Sequence, residues 1–329
     1  MNVRIIVPME NFALDQDTII EFGQFRIFHG SRIKSDLEKD KIFMEKVGTK
    51  SAERVVNRYI IFYDGNIFDL TDNKDLTPEQ IFKTILHQLT TCFAFLWAIK
   101  DNCVTLNSFF MHMYEKDDVS IMRTNLTFST YSGELVNKPF SNEDLSLFGL
   151  LHPKLGTIMS WTDEQIKQIE TQNPQDSIIT TPANFLEYNK SRVARAMDFI
   201  LLARSISFLI SKISFNISAF ECLFTSYPTE VTHKVCERAS IFIGGNADEK
   251  IANYEAINEA YTVRSKYLHG NIIKHTRDKL IALSAKTDEL LRFCIVKITN
   301  ENDELFQMPE TEGNIKKFEN HFKNMLFNQ

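Results

Sequence analysis

Residues 248–270 read DEKIANYEAINEAYTVRSKYLHG, and this stretch decides the class of the C-terminal half of the chain. Apolar residues recur at Ile251, Tyr254, Ile257, Tyr261 and Leu268, the 3–4 spacing of one face of an α-helix. Continuing that spacing from Tyr261 lands on Arg264. A cation in the buried register is costly unless it is paired, so Arg264 needs an acidic side chain, backbone carbonyls or an anion. Gly270 directly after His269 suits the first left-handed position past a helix end, which puts His269 on the last turn. The helix dipole there favours the imidazolium. Five residues correspond to about 140° of rotation. Arg264 and His269 therefore do not stack on one face; they converge only in a cleft at the helix end or across a two-fold interface.

The flanking sequence is helical in the same way. Thr181-Pro182 opens a long helix to Lys212, and Ser214–Thr225, Thr229–Ile243, Lys274–Lys297 and Asn314–Phe327 follow as further helices. Gly244-Gly245-Asn246 separates the third from the helix of residues 248–269. The N-terminal half reads differently. Val3–Val7, Thr18–Phe22, Phe25–Phe28 and Arg58–Tyr63 are short and rich in β-branched and aromatic residues, with a turn expected at Asp64-Gly65-Asn66. The charged segment Lys34–Glu53 reads as exposed loop or helix. Thr77-Pro78-Glu79-Gln80 combines an N-cap, a proline at the first helical position and a capping-box glutamine, and opens a helix to Ile99. Val104–Tyr114 and Ser120–Ser129 alternate about Glu115–Asp118 as a hairpin. Ser141–Asp144 and Thr162–Gln165 each start a short helix. The stretch Thr171–Ala183, with Pro174 and Pro182, is the expected linker. The expected fold class is α+β: residues 1–173 form a strand-rich domain with one long helix, and residues 174–329 form an all-helical domain.

Composition narrows the function. The chain has 329 residues, 43% of them hydrophobic, with only 11 Gly and 8 Pro, which excludes collagen-like, mucin-like and disordered classes. Phe is abundant at 27, so an aromatic-rich core is expected. The net charge of −6 argues against coating nucleic acid through bulk positive charge. All of that acidity lies before residue 174; the remainder is neutral. Cys92, Cys103, Cys222, Cys236 and Cys294 are scattered without a Cys-x-x-Cys pair, as expected for free thiols in a reducing, cytoplasmic compartment. The most apolar windows, Ile85–Ile99 and Val193–Ile213, are interrupted by polar or charged residues, so no membrane span is expected.

The chemistry concentrates near residue 264. From Arg264 to Lys279 the chain carries Arg264, Lys266, Lys274, Arg277 and Lys279 against one acid, Asp278, with His269 and His275 alongside. A histidine titrating near neutrality can move a proton in phosphodiester cleavage. An arginine can hold the phosphate and offset its growing charge. The plain structural alternatives are that His269 is only a helix-end residue and the basic stretch only a solvated face, or that Arg264 is a buried ion-pair partner of Glu221. Elsewhere signals are weaker. No phosphate loop surrounds Gly244, His29 and His112 lack metal-ligand spacing, and Cys222 and Cys236 read as core fillers.

Tyr261, Arg264, Ser265, His269 and Gly270 together resemble the Tyr-x-x-Arg-Ser…His-Gly signature of the ApeA-like HEPN family. Ala219–Phe224 is similar to that family's acidic helix, with Glu221 in the acidic position. Glu237-Arg238-Ala239 is similar to its basic helix. The resemblance covers about residues 183–300 and extends weakly to Pro8–Phe12 and Thr18–Phe28. It implies a helical bundle that forms a homodimer with two Arg-x4-His motifs facing one groove. It further implies a metal-independent endoribonuclease of a toxin or anti-phage system, without cofactor. By resemblance Arg264 and His269 are the catalytic pair. Ser265, Lys266, Lys274, His275, Arg277, Lys279, Glu221 and Arg238 are RNA-binding or groove-lining, with Glu221 and Arg238 also able to pair inside the bundle. RNA, a second copy and a protein trigger or inhibitor are the implied partners. Some relatives of this type are catalytically silent and bind a nucleotide, RNA or protein instead.

Overall fold

Strand β1 (Asn2–Glu10) has paired strands on both sides and is almost entirely buried. Its Ile5-Ile6-Val7 run is the near-continuous apolar pattern of a strand covered on both faces. The computed structural model describes residues 1–15, 17–73, 75–159, 191–226, 229–301, 303–308 and 311–327. The fold is α+β, and its contacts divide into two units. The first holds Met1–Thr130 and Glu134–Phe148; the second holds Tyr131–Gly133 and Gly149–Gln329.

In the first unit, β3 (Ile20–Phe22), β4 (Phe25–His29), β5 (Tyr59–Asn66), β1, β7 (Ser108–Met113) and β8 (Asp118–Arg123) lie side by side in that order, all antiparallel. A short β6 (Thr105–Leu106) adds to β1 at Met9 and Glu10, beyond the β7 ladder that ends at Ile6. Pro8 falls in the gap between these two ladders, where its missing N–H costs nothing. Separately, β2 (Phe12–Leu14) and β9 (Lys138–Phe140) pair in parallel.

The charged segment after β4 is helical: α1 (Lys34–Lys39), α2 (Lys41–Val47) and α3 (Thr49–Val56). These helices set Leu37, Phe43, Val47 and Val55 against Ile6, Ile60, Phe62 and Phe110 of the sheet. The turn expected at Asp64-Gly65-Asn66 is instead the end of β5. Asn2, Val3 and Arg4 supply its partners, and Arg4 Nε donates to Asp64 at 3.0 Å. The chain turns one residue later, where Asn66 caps a single helical turn. The capping box at Thr77 and Gln80 is formed, and α4 runs Pro78–Ala94, with a tighter turn to Ala98. The hairpin β7–β8 turns through Asp117 in the left-handed region.

Helix α5 (Asn142–Met159) is longer than the short helix expected at Ser141, and the division between units falls inside it. The helix start at Thr162, the linker Thr171–Ala183, the opening at Thr181-Pro182 and the boundary at 173 lie outside the described residues.

In the second unit the expected helix to Lys212 is two helices, α6 (Arg192–Ser205) and α7 (Leu209–Phe224). Ile206 and Phe208 are extended between them. Lys212 Nζ donates to the Ala203 carbonyl at 2.7 Å, satisfying an acceptor that the break would otherwise strand. Then follow α8 (Val231–Ile243), α9 (Ala247–Leu268), α10 (Arg277–Glu301), α11 (Glu304–Gln307) and α12 (Glu312–Phe327). Gly244 and Gly245 have positive φ, and Asn246 and Glu249 form a reciprocal capping box that starts α9. Helix α7 lies against α6, α8, α9 and α10.

The aromatic core centres on Phe224. The rings of Phe242, Phe306 and Phe322 surround it at 5.7, 5.9 and 5.9 Å. Phe224→Ala is therefore expected to destabilise the helical unit by about 3–5 kcal/mol. Phe327→Ala, at a ring that is 85% exposed, is expected to leave stability unchanged. Urea denaturation followed by circular dichroism distinguishes the two; equal midpoints would contradict this account of the core.

Candidate functional site

The site is built on the C-terminal half of α9. Arg264 lies in the register that the apolar stripe gives it, and its partner is acidic: Nη1 donates to Glu221 Oε1 at 2.6 Å. Glu221 sits on α7, 43 residues earlier. The two side chains are 24% and 26% exposed, so the pair sits at the edge of the interior and not deep within it. A guanidinium has five donors. The remaining donors of Arg264 make no hydrogen bond among the described residues. Tyr261, one turn before Arg264, is buried beside the same carboxylate. Burial, and then the negative charge of Glu221, hold its phenol far above the usual range, so it stays neutral.

The helix end is tightly defined. Gly270 is left-handed at φ +69°. Its N–H donates to Tyr267 O at 3.2 Å, and Asn271 N–H reaches back to Lys266 O at 2.8 Å. This paired closure satisfies the last carbonyls and fixes the backbone of His269, whose own N–H donates to Ser265 O at 3.0 Å. The His269 ring is exposed and makes no hydrogen bond among the described residues.

The basic stretch is dispersed. Ser265, Lys274, Arg277 and Lys279 are exposed, and Lys266 is half-buried. His275 turns back onto α9, with Nε2 2.9 Å from Glu259 Oε1. Arg238 is not part of this site. It is buried and bonds Glu319 Oε1 at 2.7 Å, Ser226 Oγ at 2.9 Å and the Phe224 carbonyl at 2.9 Å. The structure thus brings Arg264 together with Glu221, and places Arg238 in a separate cluster with Glu319. Sequence reasoning gave no part to Glu319. Its helix shows a Phe318/Phe322 stripe, but a carboxylate beside that stripe carries no mark of a partner 81 residues away.

Apolar side chains surround the end of α9. Phe208, Tyr267, Leu268 and Ile272 are all exposed, with the Phe208 and Tyr267 rings 6.0 Å apart. The other candidates have structural roles. His112 Nδ1 is 2.8 Å from Asp40 Oδ2, and His29 Nδ1 caps Ser31. Burial pushes the Cys222 thiol up to about 11 and the Cys236 thiol to about 12, so neither is a thiolate near neutrality. Among the described residues no group of three or more His, Cys, Asp or Glu could hold a metal ion, and no helix is long and apolar enough to cross a membrane. No family model, curated protein or solved structure matches the chain.

The Arg238–Glu319 cluster makes stability depend on pH. Burial by itself would raise the Glu319 carboxyl; hydrogen bonds from Ser226 and Arg238, with the Arg238 charge, outweigh it, and the net shift is downward. A carboxylate held below its unfolded value of about 4.3 stabilises the fold above that value. The contribution is lost as pH falls through the folded-state value. In urea titrations Glu319→Gln should therefore cost more stability at pH 7 than at pH 3. A cost independent of pH would remove the cluster from this role.

Proposed function

We propose that the helical unit is a metal-independent endoribonuclease of the HEPN type, acting as a cytoplasmic homodimer in a toxin or anti-phage system. The observation that carries this reading is the asymmetric environment of the pair. Arg264 is oriented by Glu221 with most of its donors uncommitted, while His269 is solvent-open at a rigid helix end.

In this reading Arg264 clamps the scissile phosphate through charge-assisted hydrogen bonds. The ribose 2′-OH attacks the phosphorus. His269 accepts the proton of that hydroxyl or delivers one to the departing 5′-oxygen. The products are a 2′,3′-cyclic phosphate, or its hydrolysis product, and a 5′-hydroxyl. The nucleophile belongs to the substrate, so no step calls on a metal, and DNA, lacking the 2′-OH, resists. Glu221 holds the guanidinium in place before substrate arrives. The exposed apolar side chains Phe208, Tyr267, Leu268 and Ile272 support pairing of two copies around the ends of α9. The exposed Lys274, Arg277 and Lys279 supply phosphate contacts along the strand.

A second reading has one specific observation in its favour. Glu221 offsets the charge of Arg264, which weakens its pull on a phosphate and suits a silent module that binds a nucleotide, RNA or protein partner.

The test is incubation of the full chain with total RNA in excess EDTA. Wild type is expected to cleave. His269→Ala should abolish cleavage with an unchanged melting temperature, because the ring is exposed and makes no hydrogen bond among the described residues. Arg264→Ala should abolish cleavage with a melting shift of a few degrees at most. Cleavage that survives His269→Ala would overturn the proposal, and RNA binding without cleavage by wild type would favour the silent module.

A further inference from the structure

The N-terminal unit holds a polar cleft that none of this chemistry uses. It opens where α3 passes the end of the β7–β8 ladder away from the hairpin turn, and its volume is about 240 Å³. Ser51 and Arg54, one turn apart on α3, line one side. Asn107, Ser108 and Arg123 line the other, and Phe110 contributes an apolar wall. Ser108 and Arg123 are directly opposite one another in the ladder, so both side chains leave the same face of the sheet.

The charges in this cleft are not balanced internally. Arg123 forms no ion pair or hydrogen bond among the described residues. Arg54 gives its Nε to Glu10 at 2.7 Å, and Arg58 shares the same carboxylate at 2.9 Å. One acid therefore faces two arginines before Arg123 is added, and the excess charge is positive. Ser51 and Ser108 hydroxyls add neutral donors. Thr124, by contrast, is already engaged with the Leu106 carbonyl at 2.7 Å.

We infer that this cleft binds a small phosphomonoester, its phosphate between Arg54 and Arg123 and its organic part along Ser51, Ser108 and Phe110. Arginine forks match phosphate oxygens in geometry as well as charge. The volume is more than a bare phosphate fills and lies just under the ~300–1,000 Å³ of ordinary small-molecule pockets, which suits a compact sugar phosphate or similar ester.

The experiment is a melting-temperature titration of the full chain at constant ionic strength, with ribose 5-phosphate, inorganic phosphate and ribose as probes. Ribose 5-phosphate is expected to raise the melting temperature saturably, inorganic phosphate more weakly, and ribose not at all. Arg123→Ala should leave the unliganded melting temperature in place and weaken ribose 5-phosphate about tenfold, the loss of one charge-assisted contact. Absence of a saturable rise with both phosphates, or an equal rise in wild type and Arg123→Ala, would overturn the inference. A rise with ribose alone would do so as well. RNA cleavage plays no part in the readout, so the outcome is independent of the nuclease reading.

Discussion

The burial of α7 is the constraint on which the helical unit depends. Leu209, Ile213, Ile217, Phe220, Leu223 and Phe224 are buried, and four other helices lie against this one. A helix buried on most of its circumference has little freedom to rotate, because rotation would expose apolar surface or strand polar groups. Its few buried polar side chains are satisfied internally. Lys212 donates to the end of α6, and Asn216 Nδ2 donates to Thr287 on α10 at 3.2 Å. Glu221 is therefore delivered to a fixed place, and Arg264 is fixed in turn.

This arrangement separates two tasks that cations perform in the same bundle. Arg238 closes an interior cluster with Glu319, Ser226 and the Phe224 carbonyl, and ties α8 to α12 over the aromatic core. Arg264 is only partly covered and leaves donors uncommitted. Arg238 thus has several partners inside the bundle, whereas Arg264 has one at its edge. The N-terminal unit also holds arginines in different settings. Arg4 is held by Asp64 at 3.0 Å, whereas Arg123 has no counter-charge among the described residues.

Local signals were legible wherever a few neighbouring residues determine the outcome. The capping box at Thr77, the left-handed Gly270 and the β7–β8 hairpin follow from side chains within four residues of the feature. Expectations failed where a distant partner intervened. Asp64-Gly65-Asn66 has turn composition, yet β1 offers it backbone partners and Arg4 neutralises Asp64. The chain from Arg192 to Phe224 reads as helix into Lys212, yet it breaks at Ile206, and Lys212 satisfies the freed carbonyl of Ala203.

By itself the sequence determined the α+β class, the helix carrying Arg264 and His269, its stop at Gly270, and the need of Arg264 for a partner. Those follow from periodicity, capping and the cost of burying a charge. Glu221 could be named as one candidate partner; only the tertiary structure selected it over backbone carbonyls or an anion. Nothing local in the sequence ties Glu319 to Arg238, 81 residues away. The packing of α9 against α7 and of α12 against α8 assigns Glu221 to Arg264 and Glu319 to Arg238, because ion pairs form between side chains that folding brings within reach.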